Sequence, residues 1–87
     1  MNEIVNIEID IPKAIGISKV IEAPQGYTLI NVIKSNYKLE VHSRIIDVND
    51  EINRFCLVYL DGIRAKDSNM TIVKDCKIEV ILPMAGG

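Results

Sequence analysis

The 87-residue chain carries few residues whose type and spacing suggest chemistry, and the most suggestive are its last. The stretch ILPMAGG, Ile81 to Gly87, runs from an apolar segment through Pro83 to Met84 and Ala85, and stops on Gly86 and Gly87. Residues without a Cβ let backbone pass close to another surface and adopt conformations barred to others. Taken alone a diglycine end reads as a frayed terminus; it would also suit a carboxylate that has to be threaded into a narrow channel. Because a carboxylate is a poor electrophile, Gly87 would react only after one of its oxygens had become part of a good leaving group. Gly86 would then give access, with Met84 and Ala85 as a lead. The four residues beyond Pro83 reach roughly 13–14 Å at ~3.3–3.6 Å per extended residue.

The other reactive side chains read more plainly. Cys56 and Cys76 stand 20 residues apart and fit neither a CxxC metal site nor a disulfide scaffold, so both read as reduced, structural thiols. Cys76, between Asp75 and Lys77, looks the more exposed of the two; Lys74 and Lys77 would lower its pKa and suit it to a transient link with a donor enzyme. His42 has no evident nucleophile or orienting partner and reads as a surface residue. Asp47, Asp50 and Glu51 do not fill a metal-binding loop and read as a solvated acidic turn, so no metal is expected. The glycines form no phosphate cradle.

Composition bounds the rest. A formal charge of -2 and the lack of a Lys/Arg cluster argue against nucleic acid as a partner. No apolar stretch approaches the ~20 residues of a membrane span, and the start MNEIVNIEID is not that of a signal peptide, so a cytoplasmic protein without membrane contact is expected.

The elements that must position the tail follow from periodicity. From Ile4 to Ile11 apolar and polar residues alternate as in a half-buried strand. Pro12 and Gly16 then mark a turn, and ISKVIEA, residues 17–23, reads as the returning arm of a hairpin. In TLINVIKSNYKL, residues 28–39, Leu29, Val32, Ile33 and Tyr37 recur at helical spacing behind Thr28 as N-cap. Residues 40–54 show no period and read as a loop with a short strand near Ile45 to Val48. Phe55 to Leu60 is apolar on both faces and meets Asp61-Gly62, a short-hairpin signal. The last strand runs through Ile78 and Val80 to Pro83, which lacks an N–H and stops the ladder. Two hairpins and a crossover helix make an α+β fold with a mixed sheet around one helix.

With that order and that ending, the chain resembles the β-grasp, or ubiquitin-like, fold and within it the MoaD/ThiS family of sulfur carriers. The motif match lies in VYLDGIRAKDSNMTIVKDCKIEVILPMAGG, the last 30 residues, with Cys76 where the family usually has a turn glycine. Pro83, before the diglycine, favours the MoaD type, the small subunit of molybdopterin synthase, over the ThiS type of thiazole synthesis. The resemblance implies a β-grasp domain over residues 1–83 and a flexible tail over 84–87. It implies no cofactor bound by this chain and no enzymatic activity of its own. An E1-like adenylating enzyme of the MoeB/ThiF type would use ATP and Mg to adenylate Gly87, and a sulfur donor protein would convert the adenylate to a thiocarboxylate. A larger subunit of the MoaE type, or a thiazole synthase, would receive the sulfur for molybdopterin or thiamine synthesis. The alternative within the same fold is a protein modifier that forms isopeptide bonds.

Alignment of the Asp61-Gly62 hairpin and the diglycine with those of ubiquitin turns Cys56, Val58, Leu60, Ile78 and Val80 inward. Leu57, Tyr59 and Ile81 then point outward as a partner-binding patch, Tyr59 and Ile81 matching the two central positions of ubiquitin's own. The competing reading is that the 40–54 loop covers them.

Overall fold

The computed structural model describes residues 3–83. Strand β1 (Ile4–Asp10) alternates strictly, with Val5, Ile7 and Ile9 buried and the residues between them exposed. It pairs antiparallel with β2 (Lys19–Pro24), from Ile4 opposite Pro24 to Ile9 opposite Lys19. Gly16 sits in the connection where a Cβ would lie 3.0 Å from Val41 and 3.1 Å from Ile11. Its missing side chain is what lets that turn close onto the body.

Helix α1 (Leu29–Asn36) opens on a reciprocal cap. Thr28 Oγ1 accepts from Asn31 N at 3.1 Å, and Asn31 Oδ1 accepts from Thr28 N at 3.4 Å. Two further N–H groups of its first turn, those of Leu29 and Ile30, donate to the carbonyls of Met70 and Ser68, so the 68–72 segment satisfies donors that a helix leaves free. Leu29, Ile30, Val32 and Ile33 are buried. The helix ends earlier than the sequence reading, which ran it to Leu39. Tyr37 is already extended and buried, and its hydroxyl donates to the Ile17 carbonyl.

Between the helix and the next strand the structure departs from expectation. A four-residue helix, α2 (Leu39–His42), follows at once, and no strand forms at Ile45–Val48 beyond an isolated Ile46–Ile52 bridge. Ile45 and Ile46 are instead buried in the core, while Val48 is 98% exposed. The segment is tied down by irregular bonds such as Asn53 N to Ile45 O.

Strand β3 (Leu57–Leu60) starts two residues later than the apolar run suggests, since Phe55 lies in a turn and is 71% exposed. Asp61 and Gly62, with φ of 51° and 83°, make the two-residue turn whose twist suits a tight hairpin, and β4 (Ile63–Arg64) returns against β3. Strand β5 (Cys76–Ile81) closes the sheet, parallel to β1 and antiparallel to β3, in the order β2-β1-β5-β3-β4. Helix α1 covers one face, and the arrangement is a β-grasp.

Candidate functional site

The site is built where β5 ends. On the β3 side the register runs from Leu60 opposite Ile78 to Leu57 opposite Ile81. Because side chains alternate, Val58 and Val80 are turned into the core with Ile78 and Cys56, and Leu60 packs against them half-buried. The intervening residues take the other face. Leu57 and Ile81 are direct cross-strand partners there, and Tyr59 stands opposite Glu79. Leu57 and Tyr59 are half-buried, and Ile81 is 43% exposed. Leu57 and Tyr59 of β3 thus form one apolar patch with Ile81 of β5 on the outer face of the sheet. The 40–54 loop buries its own apolar residues, Ile45 and Ile46, in the core. Pro83 is exposed directly beyond this patch. Met84, Ala85, Gly86 and Gly87 lie outside the described residues.

The two thiols part company. Cys56 is buried and donates through Sγ to the Arg44 carbonyl at 3.0 Å, and burial pushes its pKa up. Cys76 corrects an expectation. It is not an exposed turn thiol but a half-buried member of β5 packed against the core. Burial, then the charges of Asp61 and Asp75, push its pKa up to about 11, with Lys74 opposing only in part. A thiol so placed is almost entirely protonated near neutral pH and a poor nucleophile. Asp61 stands near it because its backbone and carboxylate both bond Lys77: Asp61 N donates to Lys77 O, and Lys77 N donates to Asp61 Oδ1, each at 2.8 Å.

His42 also differs from its reading as a surface residue. It is half-buried at the end of α2, its Nδ1 is enclosed without a hydrogen-bond partner, and it lines a cleft of about 330 Å³ with Lys34, Leu39 and Val48. The acidic residues nearby serve the local fold. Asp47 Oδ1 accepts from Asn49 N and Glu51 N, and Asp50 pairs with Lys34 at 2.6 Å. Among the described residues no three His, Cys, Asp or Glu side chains are grouped to hold a metal ion, and no helix is long and apolar enough to cross a membrane.

No protein-family model matches the chain, and neither does any curated protein sequence. Solved structures do match. The solution structure of the HVO 2177 protein of Haloferax volcanii superposes with a TM-score of 0.74 at 19% identity, over 97% of this chain and 88% of that one. The crystal structure of SAMP1 from Haloferax volcanii gives 0.74 at 12% identity, over 94% and 99%. A ubiquitin-like domain of an Arabidopsis thaliana protein gives 0.56 at 13% identity, over 98% and 83%. At such identities the likeness is one of fold, and the fold is the ubiquitin-like β-grasp.

Proposed function

We propose that this chain is a ubiquitin-like modifier whose Gly87 carboxylate is adenylated by an E1-like enzyme and then joined to lysine through an isopeptide bond. In the first step the carboxylate oxygen attacks the α-phosphorus of ATP and pyrophosphate leaves. In the second an amine attacks the acyl carbon and AMP leaves. The body's part is to be recognised and to deliver the tail. Leu57, Tyr59 and Ile81 are the recognition patch, Pro83 follows two residues after the end of β5, and Met84 to Gly87 enter the enzyme. A cytoplasmic setting is part of the proposal, because the reaction would draw on intracellular ATP.

The observation that carries this reading is the end of β5, where a strand bearing an exposed apolar patch runs straight into Pro83 and the diglycine sequence. The likeness to SAMP1 and to a ubiquitin-like domain supports the modifier over other uses of the fold. A second reading uses the same adenylate: a sulfur donor replaces AMP to give a thiocarboxylate, as in carriers of the MoaD and ThiS types, which would hand the sulfur to a larger synthase subunit. The Asp61-Gly62 hairpin followed by Pro83 and the diglycine favours it.

One experiment tests both. The chain ending at Gly87 is incubated with MgATP, the E1-like enzyme of its own genome and a sulfide source, and intact masses and tryptic digests of cell extract are recorded. Adenylation, with target lysines bearing the Ile78–Gly87 branch that trypsin leaves by cutting after Lys77, is the expected result. A mass gain of one sulfur for one oxygen, without conjugates, would select the carrier. Full activity after deletion of Gly87 would overturn both.

A further inference from the structure

Beside the tail's exit, the ladder between β1 and β5 carries an unbalanced rung. Its outward rungs are Glu8 opposite Lys77 and Asp10 opposite Glu79. The first pairs unlike charges, with Lys77 Nζ 3.9 Å from Glu8. The second sets two carboxylates on neighbouring strands, whose backbones are about 4.8 Å apart, and like charges so placed repel. Asp10 accepts one hydrogen bond, from Ser18 Oγ at 3.1 Å. Among the described residues no Lys or Arg comes within ion-pairing distance of Asp10 or Glu79.

An apolar groove begins at the same rung. The β1 register stops at Asp10 while β5 continues to Ile81, and the gap left on that side holds about 380 Å³. Ile11 and Pro12, just past β1, line it on one side, Val80 and Ile81 of β5 with Leu82 after them on the other, and Asp10 is among the lining residues. Apolar walls beside a carboxylate pair suit a side chain with an aliphatic stem and a cationic head, which lies its stem along apolar surface and keeps its charge at the polar end. Arginine fits better than lysine, because its planar fork offers five donors and can engage both carboxylates at once.

We infer that this groove, with Asp10 at its head and Glu79 on the strand beside Asp10, receives an arginine side chain of the protein that takes up the tail. The inference rests on the activation reading for the identity of that protein, but the groove's chemistry is tested without it. The probe is n-butylguanidinium, with n-butylurea as a neutral control of the same shape, titrated into the isotopically labelled full chain and followed by amide shifts. Saturable shifts confined to residues 10–14 and 79–82 are expected, about tenfold or more weaker with butylurea and in the Asp10→Asn, Glu79→Gln double variant. An equal response to butylurea, or no localised response, overturns the inference. Glu79→Gln alone should melt no lower than the parent in low salt, since it relieves a repulsion; a clear fall would mean that Glu79 serves the fold, and would also overturn it. A failure here leaves the adenylation of Gly87 standing, and a failure of adenylation leaves the shifts standing.

Discussion

The two ends of β5 are built differently although they belong to one six-residue strand. At its start, Cys76 and Lys77 are paired with β1, and Asp61 closes over Lys77 from the β3–β4 turn. In the middle, Ile78 and Glu79 have neighbours on both sides. At its end, Val80 and Ile81 are paired with β3 alone. The closed end holds the thiol that looks reactive in sequence and keeps it protonated. Availability for chemistry follows from which neighbours a strand position has, and in this strand it falls at the open end.

Substitutions along β5 would break or sharpen that contrast. Ile78→Ala, at the fully enclosed centre, should cost about 2–5 kcal/mol in denaturant unfolding, because it removes buried methyl groups and leaves a cavity. A loss below 1 kcal/mol would mean that the centre is not closed. The closed end also predicts a response to alkali. The folded pKa of Cys76 is raised to about 11 from an ordinary 9.0, so burial of the neutral thiol stabilises the fold fully below pH 9, and this contribution is lost as pH rises to about 11. Cys56 and Tyr37, also raised by burial, add in the same direction. Urea midpoints should therefore fall across that range, and less so in Cys76→Ala.

Asp61→Asn keeps an acceptor for Lys77 N and tolerates a positive φ, yet removes a charge that raises the Cys76 pKa. The pH profile of thiol alkylation should shift to lower pH, with stability little changed. At the open end Ile81→Ser should move stability by no more than about 0.5 kcal/mol, as expected for a surface site. On the proposed activation by an E1-like enzyme, its effect should appear in the KM of that reaction and not in the melting curve.

The inward and outward sets of β3 and β5 were legible through the alignment of the Asp61-Gly62 hairpin and the diglycine with those of ubiquitin, since β3 is apolar on both faces and carries no alternation of its own. Helix α1 was legible from its cap and spacing. The 40–54 segment was not, since a four-residue helix is too short to show a period, and Ile45 and Ile46 are buried side by side where a strand would have split them between faces. Phe55 was drawn into the strand by its apolar neighbours, although nothing in composition tells an exposed phenylalanine from a buried one. Cys76 was misread because its sequence neighbours are charged, whereas its spatial neighbours are the core and Asp61. The Asp10–Glu79 rung could not be read at all, for it depends on a parallel pairing between strands almost seventy residues apart.

That pairing also has a kinetic meaning. The N-terminal strand finds its inner neighbour only in the last strand, and a bond such as Asn6 N to the Asp75 carboxylate spans 69 residues. Contacts of such high order close large loops and form late in folding. On the ribosome β1 must wait, with one edge unpaired, until nearly the whole domain has been synthesised. A chain truncated before β5 would leave β1 and β3 with no strand between them, so the sheet is completed only when the last strand has been made.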